Sequence, residues 1–407
     1  MSEADVLHML ERLAQLGTAP DHGCALFSVG FDEPIDRLRR TVIEKRFRRG
    51  ASDMKFVIGP YGSGKTHFLR HLQEVASRTD CVTSEIPLNR DVDFTKTLVV
   101  YREVAREIRA PGSAKRGMDE LLRTMAARIK EPAIDCEDAP VLMDLWFGTL
   151  DRADLLLPDF PRILKGALRA LERGDDNEFD ACVRWLSGGM NDRALAKELG
   201  VQAVTQAEEN LFARRSMLTL FQVIRHAGFQ GMLVAYDEAE QGLSVDRKKT
   251  ERILSMLQSS INAFADAPGA STLVVFALTP DFIAKMETFP ALQQRVADPG
   301  PGLGFFDGNT RAARIDLGAR NSDNDLREIG RRLVDLLYER HGDEIEVRKD
   351  SLLEEIEGLA ERVLAEDVSS GNRRTMVKRT ATKLLLAYDG EDYLADVMPA
   401  DPIEDEV

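Results

Sequence analysis

The eight residues Gly59, Pro60, Tyr61, Gly62, Ser63, Gly64, Lys65 and Thr66 constrain this chain more than any other stretch. They satisfy the pattern G-x-x-x-x-G-K-[ST]. Residues 54–58 (MKFVI) precede them as a short apolar run, and HFLRHLQEVA follows with the spacing of an amphipathic helix. Strand, glycine turn and helix in that order open an α/β unit. Glycines let a backbone wrap around a phosphate with its N–H groups turned inward, and the following helix adds its positive end. Lys65 is then placed for the β- and γ-phosphates and the Thr66 hydroxyl for Mg²⁺. The expected ligand is ATP with Mg²⁺. The competing reading is a plain glycine-rich turn before a helix.

A second motif strengthens the first. Residues 233–238 (LVAYDE) are a mostly apolar run ending in two carboxylates, Asp237 and Glu238. At the carboxyl end of a strand, Asp237 would hold Mg²⁺ through water and Glu238 would polarise an attacking water. Acids close many strands, so the pair gains force only beside the phosphate loop. Residues 272–278 (TLVVFAL) form the clearest strand pattern, and Thr279 follows its tip. Thr279 is placed either to orient a water near the γ-phosphate or to cap the next turn.

The balance of the chain is that of a globular protein: 407 residues, 43% hydrophobic and 30% charged. That length suggests two to three domains. A net charge of −15 argues against a whole surface built to coat nucleic acid. No apolar run approaches the ~20 residues of a membrane helix. The acidic start MSEADVLHMLERL is unlike a secretory signal. The four cysteines stand far apart without metal-ligand spacing. Cytoplasmic location, reduced thiols and no membrane partner are the expectations.

Helical patterns fill residues 3–20 and 35–49, the latter with Ile35, Leu38 and Val42 on one face, and most of 115–225. Residues 98–101 fit either a strand or a helix start. Ile253, Leu257, Ile261 and Phe264 suggest a further helical face. Beyond Asp316 three stripes recur at helical spacing, starting at Leu326, Leu352 and Val377. The expected organisation is an N-terminal helical segment (1–50), a parallel-sheet core (51–320) with a helical insertion at about 102–225, a C-terminal helical domain (321–388) and a tail (389–407). The tail holds eight acidic residues and no basic one, a composition that favours disorder.

Arginines that could neutralise transition-state charge are Arg295, in ALQQRV, and Arg373 and Arg374, which open the last helical stripe. A solvated side chain is the alternative for each. Residues 186–190 (LSGGM) look like an ABC-transporter signature, but Ser187 lies far ahead of Asp237 and no histidine follows Glu238 before His341. A turn is the better reading. Residues 37–49 (RLRRTVIEKRFRR) carry seven basic residues and one acid. They suit either weak, nonspecific contact with DNA phosphates or a solvated helix face.

Taken in order, GPYGSGKTHFLR, the Trp185-Leu186 step, AYDEAE, ALTPDF and PALQQRV resemble the BREX-system ATP-binding proteins over roughly residues 10–385. Those are P-loop ATPases of bacterial phage-defence islands, related to the AAA+ and STAND group, and they also occur in Shango-like systems beside a helicase. The resemblance implies an α/β P-loop NTPase, AAA+-like, with a helical insertion and a C-terminal helical lid. It places Lys65 and Thr66 at Walker A, Asp237 and Glu238 at Walker B, Thr279 at sensor 1, Arg295 at the arginine finger and Arg374 at sensor 2. It further implies a homo-oligomer, or a complex with a helicase or nuclease of the same system. Two functions follow. One is an ATPase coupling hydrolysis to the assembly or action of a complex on DNA. The other is an ATP-dependent switch or scaffold with slow turnover.

Overall fold

The computed structural model describes residues 3–88, 92–93, 95–131, 139–238, 251, 254–255, 257–258, 269–287, 289–317, 323–366 and 372–394. The helices are α1 (Glu3–Leu16), α2 (Asp32–Leu38), α3 (Lys65–Arg78), α4 (Thr97–Glu107), α5 (Met118–Lys130), α6 (Ala139–Asp151), α7 (Asp159–Arg173), α8 (Asp176–Arg184), α9 (Arg193–Glu198), α10 (Glu209–His226), α11 (Pro280–Met286), α12 (Pro290–Val296), α13 (Asp323–His341), α14 (Lys349–Glu366) and α15 (Asn372–Tyr388). The strands are β1 (Asp53–Ile58), β2 (Cys81–Pro87), β3 (Gly231–Asp237), β4 (Thr272–Leu278) and β5 (Arg314–Asp316).

The strands form one sheet in the order β2-β3-β4-β1-β5. β2 runs parallel to β3, from Cys81 opposite Gly231 to Pro87 opposite Asp237. β3 runs parallel to β4, with Tyr236 opposite Phe276. Phe56 N–H donates to the Ala313 carbonyl and Leu317 N–H to that of Ile58, so β1 and β5 advance together. Every residue of β3 and β4 is buried, which is why both read as unbroken apolar runs. β2 is different. Its Thr83, Ser84 and Glu85 hide it from a hydrophobic count, yet Thr83 and Ser84 are buried. The Ser84 hydroxyl is satisfied by the Val104 carbonyl. Residues 98–101 belong to α4, so the strand alternative there is wrong.

Residues 35–49 do not form a single α-helix. α2 passes into a π-helix over Arg39–Arg46 and then a 3₁₀ turn over Phe47–Arg49. The apolar spacing explains the change. Leu38 and Ile43 are five apart, as are Val42 and Phe47, and all four are buried. At 100° per residue, positions five apart diverge on an α-helix. Hydrogen bonds from i to i+5 bring them onto one face, and Phe47 N–H indeed donates to the Val42 carbonyl.

The chain divides into two compact units. The first comprises Met1–Asp36, Val57–Glu74 and Ile315–Val407. Its core joins Val6, Leu10 and Leu13 of α1 to Leu333 of α13, Ile356 of α14 and Leu384 of α15. The three stripes read from the sequence converge here. The second comprises Arg37–Phe56 and Val75–Arg314 and holds helices α4–α10. There the Trp185–Gly189 segment is a π-helical turn. Trp185 is fully buried, edge-on to Phe160 and Phe212. The Tyr101 hydroxyl donates to the Leu186 carbonyl at 2.5 Å and Arg102 Nε to that of Gly188 at 3.0 Å. The LSGG stretch is thus a packed helix junction. Of the helical face suggested at 253–264, Ile253, Ile261 and Phe264 lie outside the described residues, as does most of the acidic tail.

Candidate functional site

In the first unit, β1 ends at Ile58 and the loop Gly59–Gly64 leads into α3. Gly62 and Gly64 have φ of 78° and 92°, backbone that only glycine adopts without strain. A Cβ on Gly59 would lie 2.2 Å from Ser63 Oγ. The loop is therefore wound tightly on itself. The Lys65 ammonium donates to the Gly59 carbonyl at 2.9 Å and the Pro60 carbonyl at 3.2 Å. Ser63 Oγ is buried and has no hydrogen-bond partner among the described residues. A buried hydroxyl without a partner is costly, and its place inside the loop fits an acceptor such as a phosphate oxygen. Thr66 follows in the first turn of α3, half-buried.

The last helix comes to this loop. Arg374 donates to the Tyr61 hydroxyl, and its guanidinium carbon lies 5.4 Å from the Tyr61 ring centre. Its other arm donates to the Leu16 carbonyl at 2.8 Å, at the end of α1. Tyr61 is otherwise 68% exposed. Arg373 is the more buried arginine. It pairs with Asp325 at 2.9 Å, donates to the Val29 carbonyl at 3.2 Å and covers the Phe31 ring. Phe31 packs edge-on to Phe68 of α3, and both Phe31 and Arg373 approach Gly64. Sequence reasoning named Arg373 and Arg374 together and gave a motif position to Arg374 alone. Nor did it find the segment that seats α3. There Ser28 Oγ lies 2.8 Å from His71 Nδ1, Arg332 pairs with Asp32 at 2.9 Å, and Glu74 accepts from the Cys24 and Ala25 amides. Burial, helped by His71, Arg373 and Arg70, pushes His67 down to about 3, so its ring is neutral against Phe27.

In the second unit, three aromatic rings line up across the sheet just before the strand ends. Tyr236 stacks on Phe276 at 4.8 Å, and Phe276 on Phe56 at 5.8 Å. Asp237 closes β3 and is buried; its Oδ1 accepts from the Glu238 amide at 2.9 Å. Its carbonyl accepts from Leu88 N–H, which holds the loop after β2. Glu238 has φ of 54°, a left-handed conformation that costs energy in any residue but glycine and gathers at functional sites. Thr279 stands at the N-cap just before α11, and its side chain makes no capping bond. Its carbonyl accepts from the Phe282 and Ile283 amides. Arg295 lies on α12; its side chain is outside the described residues. Among the described residues no cluster of His, Cys, Asp and Glu could hold a metal by itself.

The sequence pattern of the family described as BREX system ATP-binding protein BrxC/D matches residues 1–388. The chain belongs to the BrxC/D family of BREX system ATP-binding proteins. No curated protein and no solved structure matches it. BrxC/D membership makes ATP the ligand class and a phage-defence system the setting. The match takes in the Gly59–Thr66 loop, both carboxylates and all three helices α13–α15. No described helix of this BrxC/D protein is long and apolar enough to cross a membrane.

Proposed function

We propose that the chain binds ATP·Mg²⁺ and hydrolyses it as an AAA+-like P-loop ATPase, driving the assembly or action of a defence complex on DNA. The observation that carries this reading is the loop itself. Left-handed Gly62 and Gly64, the orphaned Ser63 hydroxyl and Lys65 at the head of a 14-residue helix make an anion cradle. In this reading the amides of residues 59–66 and Lys65 hold the β- and γ-phosphates. Thr66 and Asp237 hold Mg²⁺, which when bound supplies charge to the phosphate oxygens. Glu238 orients and polarises the attacking water, with Thr279 beside it. The BrxC/D match takes in all three motif segments, which supports their joint use. Residues 321–388 act as a lid that brings Arg374 to the loop.

Two variants test this. Lys65→Ala should lose ATP binding in a fluorescent-nucleotide titration while its circular dichroism stays native. Glu238→Gln should bind ATP normally yet turn it over on the order of 10²-fold more slowly, since an amide cannot act as a base. Normal turnover in Glu238→Gln would assign the water to another residue.

One observation favours the slower switch reading. Lys65 is satisfied by the loop's own carbonyls, and Arg374 by Tyr61 and the Leu16 carbonyl. A nucleotide that exchanges those contacts would move α15 even without turnover. Measured ATP turnover, alone and with duplex DNA, separates a motor from a switch. We also assign self-association, or pairing with a helicase or nuclease of the system, with Arg295 acting in trans. Mixing Arg295→Ala with Lys65→Ala subunits should restore part of the activity; stable mixed assemblies with none would refute it.

A further inference from the structure

We propose that the π-helical segment and the loop before β5 form a surface that binds the phosphate backbone of duplex DNA. The surface lies at the amino-terminal edge of the second unit's strands. It is independent of the ATPase reading.

The π-helix sorts the basic run. Its i to i+5 geometry turns Leu38, Val42, Ile43 and Phe47 inward. The same geometry stacks Arg40 over Lys45, also five apart, on the outside. Arg48 and Arg49 continue that exposed side in the 3₁₀ turn. The inward face is anchored at the strand starts. The Ser271 hydroxyl donates to the Phe47 carbonyl and Gln230 Nε2 to that of Ile43, both at 2.9 Å. This is the edge opposite Asp237 and Thr279.

Not all seven cations remain available. Arg39 pairs with Glu44, Arg46 with Asp53, and Arg37 donates to the Phe305 carbonyl. Those contacts neutralise the acid within the run and also Asp53. Lys45, Arg48 and Arg49 are exposed with no ion-pair partner among the described residues. A further cation comes from another element. Lys55, fully buried, donates to the Thr310 and Ala312 carbonyls. It thereby fixes the segment that carries exposed Arg311, which also has no ion-pair partner among the described residues. Arg37 bonds the same loop at Phe305.

The chemistry favours nucleic acid over an acidic protein. Protein interfaces are built around apolar and aromatic anchors, and here every apolar side chain of the run is turned inward. Among the described residues, the exposed side chains of the run are Arg40, Lys45, Arg48 and Arg49, all cationic. That is the composition of sequence-independent phosphate contact.

The test uses the full chain and a fluorescent 30-base-pair duplex, with anisotropy followed across a salt series. Replacing Lys45, Arg48 and Arg49 by Ala together should weaken binding at least about tenfold at low salt. It should also flatten the log–log salt slope by roughly 2 to 3. The control variant replaces three exposed cations of the insertion helices, Arg193, Lys197 and Arg215, and changes net charge equally. It should bind like wild type. Circular dichroism and melting temperature show that both variants fold. Equal loss in the control, an unchanged slope in the first variant, or no DNA binding by wild type at 20 mM salt would each overturn the proposal. In the last two cases, capture of an acidic defence protein by wild type but not by the first variant would reassign the surface.

Discussion

A methyl group on Gly59 would sit 2.2 Å from Ser63 Oγ and 3.1 Å from its Cβ. Gly59→Ala must therefore push the loop open, at a cost of about 1–3 kcal/mol. The expected result is clear weakening of ATP binding by titration, with native circular dichroism. Normal affinity would show that the loop yields without changing its cradle. Tyr61 offers a graded comparison. Tyr61→Phe keeps the ring under Arg374 and loses only the hydroxyl contact, whereas Tyr61→Ala loses both. Cation–π stacking at exposed sites is worth about 0.5–1 kcal/mol. If Arg374 is held for the nucleotide by this ring, ATP affinity should change more in the alanine variant than in the phenylalanine one. At this scale the loop was legible because all eight of its residues are consecutive. Arg373 was not, because Val29, Phe31 and Asp325, which give it a place, are distant in sequence.

Elements were legible where burial was two-sided. β3 and β4 read directly, as did the three C-terminal stripes. β2 was missed because it buries polar residues and satisfies them with backbone partners. The π-helix was missed because its apolar spacing of five matches neither the helical nor the strand period. The start of β2 carries Cys81, whose thiol is pushed up to about 12, chiefly by burial and then by Asp80. On α8, burial pushes Cys182 up to about 11. Both folded values lie above the usual thiol value, so this contribution to stability is complete below about pH 9 and falls as pH rises through 11 to 12. At pH 8 almost no thiolate exists at either site. In a Cys136→Ser background, iodoacetamide should label the native protein at pH 8 far more slowly than the protein in 8 M urea. Rapid native labelling of Cys81 would mean that the edge of the sheet opens.

For the whole molecule, the first unit is assembled from three separated segments, and the glycine-rich loop lies in the middle one. A reading along the chain finds each piece but not their meeting, since no local pattern records a partner at the other end. α1 supplies Val6, Met9, Leu10 and Leu13 to a core shared with α13–α15. Burying such side chains is worth about 1.5–3 kcal/mol apiece. Removing residues 1–18 should lower the melting temperature, expose dye-binding apolar surface and weaken ATP binding, although no residue of the loop is touched. A truncated protein that melts and binds like the full chain would show that α1 is dispensable. The same assembly orders events on the ribosome. Residue 66 is made well before Asp325, Arg373 and Arg374, which surround the loop and its neighbours. A nascent chain stopped at residue 320 carries the glycine-rich loop but lacks Asp325, Arg373 and Arg374. If the loop binds ATP as proposed, capture should wait until these later segments have been made. Arrested chains of increasing length, probed with a photoreactive ATP, should acquire label only after α15 has cleared the exit tunnel.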